Sequence, residues 1–338
     1  MREAAPDSWW VSIDHWVVGA SGASIGVASG TWPSIAASGG AVAVLTEGVL
    51  HLFDGSNGDF RTSVEAPFAR RVLGYEHGLW LDEERRARHL SGAGRERDVV
   101  DLDGGFGLLD ADGRRLATQV LGASDYSNLR VLSLRGGLVG EMPRDVRLVS
   151  AALADAGVVV AGQRGIDYWL FDADFRVAPA PARPATDVPL VRSDAQQVVA
   201  SSDGWIEVWL DVTSEENRPT GPPREKFQRV DVIRTARSRI QRIAGGEVVA
   251  SRVFDVQLLG IEAVGELAYV LLSSQEAGGT ARAKDLRVVM LDESLATLAS
   301  FPLPPGNWTG GFAVCRGRGS DRDEHRGTAL SGDQRLPK

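Results

Sequence analysis

The segment VLHLFDGSNGDF, residues 49–60, contains an apolar stretch, a polar turn led by Asp54 and the start of a second stretch. The first stretch has the length of a strand and is too short for a helix. Asp tolerates turn conformations and hydrogen-bonds the backbone two residues on, so the chain can reverse there. The segment therefore predicts two antiparallel β-strands joined at Asp54.

Similar corners recur along the chain, in LLDADGRRL around Asp110, WLFDADFRV around Asp172 and VMLDESLATL around Asp292. The spacings between the four aspartates are 56, 62 and 120 residues, and the last is twice sixty. A copy that has lost its aspartate is therefore predicted in RVDVIRTARSRIQRI, residues 229–243. A fixed period of this kind is typical of repeat architectures.

Short apolar runs fill the rest of the chain between 39 glycines and 15 prolines. Each run has four to six residues, which favours strands over helices: AVAVL (41–45), GLWL (78–81), RVLSL (130–134), GVVVAG (157–162), YWLF (168–171), WIEVWL (205–210), AYVLL (268–272) and LRVVML (286–291). The best helical spacing, Glu84 with Arg88 in LDEERRARHL (81–90), is interpreted as a polar loop or single turn. The chain is predicted to be all-β.

Four short antiparallel strands in about sixty residues describe one blade of a β-propeller. Five such units fit between residues 32 and 302, and SWWVSIDHWVVGA (8–20) supplies either a sixth blade or the strand that closes the ring. The prediction is a propeller of about five to seven four-stranded blades. A pair of β-sandwiches is the structural alternative.

The corner "apolar strand, Leu-Asp or Phe-Asp, turn, Gly, apolar strand" resembles the degenerate bacterial β-propeller repeats, which include WD40-like, YVTN-like and quinoprotein-like proteins. VLHLFDGSNGDF is most similar to the quinoprotein type, and the resemblance covers residues 32–302. The blades lack the Gly-His and Trp-Asp signature of WD40 repeats, and Arg61 or Thr62 stands where a quinoprotein blade ends in Trp. The resemblance implies a propeller and no subfamily.

The predicted organisation has three parts, which are N-terminal strands in residues 1–31, a propeller in 32–315 and a disordered tail in 316–338. The tail is polar and carries few apolar side chains, which is typical of disorder. Within the propeller, the Pro-rich segment VTSEENRPTGPPREKF (212–227) is interpreted as an exposed loop on one rim.

Composition excludes several classes of function. The net charge is -8, from 37 basic and 45 acidic residues without a basic block, which argues against nucleic acid and anionic membranes as partners. No segment has the ~20 apolar residues of a membrane span. The N-terminus shows no signal peptide, so a cytoplasmic monomer is expected as written, and an exported protein if the N-terminus is truncated. Cys315 is the only cysteine, which excludes an internal disulfide.

Few residues match catalytic motifs. GASIG (22–26) fits the nucleophile-elbow pattern at Ser24, but no helical pattern follows it, so chance is the preferred explanation. The five histidines show no metal-ligand spacing: His15, His51, His77, His89 and His325. No catalytic residue, cofactor or metal site is therefore predicted, and the ligand-binding residues stay unknown.

Aspartate-rich turns are the nearest approach to a calcium site, but none completes a calcium loop. Turn chemistry is preferred, and the calcium alternative falls on Asp54 with Asp59, or Asp110 with Asp112; two further turns hold Asp101 with Asp103 and Asp172.

Strand alternation places Trp205, Glu207 and Trp209 on one face, where they would either stack on a sugar or cation or belong to the core. The core is preferred, because both faces of a propeller blade pack on neighbours. SSDGWIEVW (201–209) resembles a sialidase Asp box with its glycine one place early.

The leading functional hypothesis is a non-catalytic binding module for a protein or glycan partner. The first alternative is a glycosidase or lyase, which would need two or three carboxylates and an arginine to converge at the channel. The second alternative is an inactive fragment of a larger exported protein.

Overall fold

The computed structural model describes residues 8–27, 33–102, 107–121, 127–142, 148–162, 165–171, 175–179, 188–220, 229–276 and 285–315. Within these ranges every regular element is a β-strand, and the 27 strands form seven antiparallel sheets. The sheets follow one another around a ring as the blades of a β-propeller. The all-β prediction is confirmed, seven blades lie within the predicted range, and the two-sandwich alternative is wrong.

The strands are numbered in chain order and grouped here by blade. Blade 1 contains β1 (Ser8–Ile13), β2 (Trp16–Gly19), β3 (Ser24–Gly26) and β27 (Trp308–Cys315). Blade 2 contains β4 (Ser34–Ser38), β5 (Ala41–Thr46), β6 (Val49–Asp54) and β7 (Phe60–Glu65). Blade 3 contains β8 (Arg71–Tyr75), β9 (Gly78–Glu83), β10 (Arg86–Ser91) and β11 (Glu96–Asp101). Blade 4 contains β12 (Gly107–Ala111), β13 (Arg115–Leu121), β14 (Ser127–Ser133) and β15 (Leu138–Glu141).

The three remaining blades include the longest strands. Blade 5 has three described strands, β16 (Leu148–Ala154), β17 (Gly157–Gly162) and β18 (Gly165–Leu170), and an isolated bridge from Trp169 to Val177 beside β18. Blade 6 contains β19 (Arg192–Ser201), β20 (Gly204–Thr220), β21 (Arg229–Ala244) and β22 (Glu247–Phe254). Blade 7 contains β23 (Val256–Val264), β24 (Leu267–Glu276), β25 (Arg287–Leu291) and β26 (Thr297–Pro302).

Blade 1 joins the two ends of the described chain. β27 pairs with β1 in the sheet order β27-β1-β2-β3, so the innermost strand of this blade comes from the C-terminal side and the other three from the N-terminal side. The predicted N-terminal segment, residues 1–31, and the predicted propeller region, residues 32–315, therefore both contribute strands to the ring.

In the described residues, seven clusters of the apolar core lie one between each pair of neighbouring blades, and a small eighth cluster of Val212 and Ala236 lies within blade 6. Between blades 7 and 1, for example, Leu271 packs in the same cluster as Val11. Alternating side chains serve the two faces of each blade, as in β20, where Ile206 faces blade 7 and Trp205 faces blade 5. Because every blade is covered on both faces, the sequence shows short apolar runs without a clear polar alternation.

The repeat predicted from the aspartates is only partly correct. Asp54 and Asp292 lie at the turn after the third strand of their blades, as a true repeat requires. Asp110, however, lies on β12, the first strand of blade 4, and its turn belongs to a different hairpin. Blades 2 to 5 begin about forty residues apart, at Ser34, Arg71, Gly107 and Leu148, so the sixty-residue period was wrong. Asp172 lies outside the described residues.

Two other predictions need correction. The polar segment 212–227 is a strand as far as Thr220, because β20 pairs with β21 until Thr220 faces Arg229. Segment 81–90 forms a hairpin between β9 and β10, and only its centre at Glu84 is a turn. The predicted tail, residues 316–338, lies outside the described residues. In the described part of the chain, no helix has the length and apolar character of a membrane span.

Candidate functional site

The centre of the ring is a channel with a volume of about 770 Å³. Its wall is formed by the first strand of each blade, with β27 taking that place in blade 1: β4, β8, β12, β16, β19, β23 and β27. A cavity of this size accommodates a small molecule.

Close contacts between neighbouring inner strands hold the channel wall. A Cβ on Gly74 would lie 2.0 Å from the carbonyl oxygen of Ala37, so only glycine lets β8 approach β4 this closely. The Ser150 hydroxyl donates to the carbonyl of Val198, and the Gln197 amide donates to Ile261 on the next blade. These bonds fix the wall in place, which suits a preformed site.

Asp110 projects from β12 at the channel wall. Its Oδ2 accepts a hydrogen bond of 2.7 Å from the backbone N–H of Leu153 on the next inner strand. Burial raises the pKa of this carboxyl to about 6, against the lowering effects of the Leu153 and Ala111 backbone groups. Asp110 as a whole is half-buried, and its accessible surface faces the channel.

Glu262 on β23 is the second carboxylate of the channel wall. Burial and the repulsion of Asp110 raise its pKa to about 7, and the attraction of Arg71 opposes them. In the part of the chain that the structure describes, no hydrogen bond reaches this carboxylate. The three side chains therefore share one channel and influence each other's charge.

Arg71 on β8 is exposed to the channel, and its Nη1 donates a long hydrogen bond of 3.4 Å to the carbonyl of Leu108. None of the described carboxylates lies within 4.0 Å of its guanidinium. Asp82, opposite Arg71 on β9, uses its Oδ2 to accept from the Leu108 N–H at 3.2 Å. Arg71 thus retains most of its donors for a ligand.

Tyr75, which lines the channel at the end of β8, belongs to a second cluster of polar and aromatic side chains in blade 3. The Tyr75 hydroxyl lies 2.7 Å from Nε2 of His89, and Nδ1 of the same ring lies 3.1 Å from Asp98. The His89 ring stacks on Trp80 with centroids 4.5 Å apart. Burial raises the pKa of Tyr75, an effect that Arg97 opposes, so the phenol is a poor nucleophile. This chain of contacts reads as a structural network within blade 3.

The aspartate turns use their carboxylates to build turns. Asp54 accepts from the backbone N–H and hydroxyl of Ser56 and pairs with Arg61 at 2.7 Å. Burial raises the pKa of Asp54, but the bonds from Ser56 and Arg61 outweigh it and leave the pKa below its ordinary value. Asp112 accepts from the backbone N–H groups of Arg114 and Arg115. Hydrogen bonds within the turns, together with the ion pair to Arg61, therefore engage the carboxylates of Asp54 and Asp112.

The tryptophan pair on β20 belongs to the core, as preferred from the sequence. Trp205 and Trp209 donate their indole N–H groups to the carboxylate of Glu207 at 3.1 and 2.9 Å. All three side chains are buried between blades 5 and 6. No face of this cluster is open to a sugar.

The remaining candidates lie far apart. Ser24 begins the outermost strand of blade 1, where no nucleophile elbow exists. Asp203 lies in the turn before β20 and pairs with Arg242 at 2.9 Å. Among the described histidines, only His77 lines the channel. His325 and Asp103 lie outside the described residues.

Sequence reasoning missed Arg71 and Glu262, and it interpreted Asp110 as a turn residue. Arg71 and Glu262 lie in no motif, and a charge within an apolar strand was their only signal.

No protein-family model and no curated protein sequence matches the chain. Among solved structures, the apo form of AztD from Citrobacter koseri is similar with a TM-score of 0.49 and 14% identity, over 92% of this chain and 99% of that chain. The WD40 domain of Pan2 from Neurospora crassa is similar with a TM-score of 0.48 and 10% identity, over 84% and 78%. BamB from Moraxella catarrhalis is similar with a TM-score of 0.45 and 13% identity, over 90% and 88%.

The fold assignment rests on this chain's own strands and not on these likenesses. The strand order, the seven cores between blades and the pairing of β27 with β1 make this chain a seven-bladed β-propeller repeat protein.

Proposed function

We propose that the protein is a binding module whose ligand occupies the central channel. A propeller holds its channel and loops on a rigid ring, which suits a binding or scaffold role. The observation that carries the proposal is that Arg71, Asp110 and Glu262 all line the channel, while no ion pair within 4.0 Å joins them in the described part of the chain. Ionisable side chains that line a channel without salt-bridge partners favour the binding of a charged or polar ligand.

The test is a retention experiment with the full chain and a filtered pool of small metabolites. Compounds retained after rapid dilution would be identified by mass spectrometry. We expect at least one compound to be retained by the native protein and lost in Arg71→Gln and Glu262→Gln. The matched controls are Arg70→Gln and Glu266→Gln, which change exposed neighbours outside the channel trio. If both channel variants retain the same compounds as the native protein, the proposal is contradicted.

A glycan-processing enzyme is the second candidate, because two carboxylates and an arginine do meet in the channel. The raised pKa values of Asp110 and Glu262, about 6 and about 7, would suit a general acid. A panel of aryl glycosides and polysaccharides tests it. Turnover that disappears in both Asp110→Asn and Glu262→Gln would favour this candidate over binding alone, and absence of turnover across the panel would count against it.

A macromolecular partner stays a prediction. The ribbon formed by the ends of β20 and β21 is the feature that would carry one, since residues beyond Val212 pair only with each other.

A further inference from the structure

We propose that Arg71, Asp110 and Glu262 form a binding site for a small zwitterion, a free α-amino acid. The ammonium group would lie on the two carboxylates and the ligand carboxylate on Arg71. This inference rests on the proposed function, since it names the ligand class of the same channel.

The first step is that the described residues provide no salt-bridge partner for Arg71, Asp110 or Glu262. Arg71 donates only the 3.4 Å bond to Leu108, and Asp110 accepts from Leu153 through Oδ2. Among the described residues, no ion pair within 4.0 Å joins Arg71 to either carboxylate. Asp110 also accepts from the backbone of Ala111, and an arginine fork and two carboxylates have donor and acceptor capacity well beyond these three bonds.

The second step concerns charge matching. A purely anionic ligand would meet Asp110 and Glu262, and a purely cationic ligand would meet Arg71, so each single charge is opposed by part of the site. An ammonium group has three donors and suits two carboxylates, while Arg binds a carboxylate through two parallel hydrogen bonds. A zwitterion with both groups on one carbon satisfies the whole trio.

The third step excludes a metal ion as the preferred occupant. In the described ranges, no group of three or more His, Cys, Asp or Glu side chains is arranged to hold a metal. Arg71 would also repel a cation held between the two carboxylates. The volume of about 770 Å³ leaves room for an organic ligand, and the half-buried side chains of Leu73, Leu109 and Leu259 offer an apolar wall for its side chain.

The test uses calorimetry and thermal shift with the full chain. A pool of the standard amino acids is screened first, and the best binder is compared with two analogues that each lack one charge. For leucine, these are 3-methylbutylamine and 4-methylpentanoate. We expect the amino acid to bind, each analogue to bind at least about tenfold more weakly, and Arg71→Gln or Glu262→Gln to weaken binding at least about tenfold. Arg70→Gln and Glu266→Gln should bind as the native protein does.

The variants first have to give a cooperative melt by circular dichroism, and Asp110→Asn, which keeps an acceptor for Leu153, provides a third channel variant. No binding from the amino-acid pool overturns the inference, and so does an analogue that binds as well as its parent. The metabolite retention experiment distinguishes a failure of the amino-acid inference from a failure of the proposed binding function. If it yields a channel-dependent ligand that is not a zwitterion, the inference fails and the proposed function stands. If it yields none, both fail.

Discussion

Cys315 on β27 lies directly opposite Ser8 on β1, so the first and last described strands meet in one sheet. The cysteine is 2% exposed, and its thiol donates to the carbonyl of Ala41 on blade 2. The only thiol of the chain thus lies where the ring closes.

This position predicts that the reactivity of Cys315 reports opening of the ring. A thiol reagent such as DTNB should react slowly with the native protein and rapidly in denaturant, because the buried thiol becomes accessible only after β27 separates from blade 2. The rate should rise in Trp10→Phe, which removes the indole bond of 2.9 Å to Gly55 in blade 2. A native rate equal to that of a free thiol would contradict the closed ring.

A second prediction concerns the packing of Gly55 against the closing strand. A Cβ on Gly55 would lie 2.6 Å from Sγ of Cys315, so Gly55→Ala should destabilise the protein by about 1–3 kcal/mol in urea unfolding. Cys315→Ala removes the sulfur, and the double variant should recover part of the loss. A double-mutant cycle measures this coupling. Strictly additive effects would show that the two residues do not touch.

A third prediction tests the buried carboxylate of blade 6. Glu207→Gln keeps one acceptor oxygen but turns an amide N–H towards the second indole N–H. We expect a loss of about 1–3 kcal/mol in the free energy of unfolding, since one buried donor loses its acceptor. Glu266→Gln on the surface is the control and should change stability by less than about 0.5 kcal/mol. An unchanged urea midpoint in Glu207→Gln would place the carboxylate outside the core.

A fourth prediction follows from the raised pKa of Glu262. The folded state binds the proton more tightly than the unfolded chain, because the pKa rises from 4.5 to about 7, so stability falls as pH increases through this window. Asp110, shifted from 3.8 to about 6, acts in the same direction, while Arg71 opposes both.

Glu262→Gln should therefore leave stability unchanged near pH 4 and raise it by about 1–3 kcal/mol near pH 8. Urea unfolding at both pH values measures the difference, with Glu266→Gln as the control. A gain that is equal at both pH values would show that the effect comes from packing and not from proton binding.

A fifth prediction concerns the ribbon of β20 and β21. Replacing residues 213–235 with a two-residue Asn-Gly turn should preserve the ring, because Val212 faces Ala236 and the backbone of Ser214–Thr220 pairs only with β21. Glu215 forms ion pairs with Arg234 and with Arg192 on β19, and both pairs are partly exposed and contribute little. We expect a cooperative melt and unchanged channel binding. Loss of the transition would mean that the ribbon supports the ring.

The sequence predicted the class of fold better than its repeat. Short apolar runs identify strands because a blade buries both faces, and Asp54 and Asp292 identify true third-strand turns. The same turn chemistry occurs at Asp110 in a different hairpin, so residue type alone cannot assign the blade position of a corner. Pairing partners are non-local, as for β27 and β1.

The residues of the candidate site could not be predicted from the sequence, because they are also brought together by non-local contacts. Arg71, Asp110 and Glu262 come from three blades, and nothing in the chain between them marks which side of an inner strand faces the channel. Their convergence is a property of the ring, which places the first strands of distant blades around one axis.

The pairing of β27 with β1 also sets an order of events during synthesis. β1 to β3 are made before the strands of blades 2 to 7, and the inner edge of β1 has no partner until residues 308–315 are made. While blades 2 to 7 are being made, this edge exposes unpaired backbone groups that can pair with another chain. Neighbouring chains translated from the same mRNA would therefore compete with β27 for the inner edge of β1.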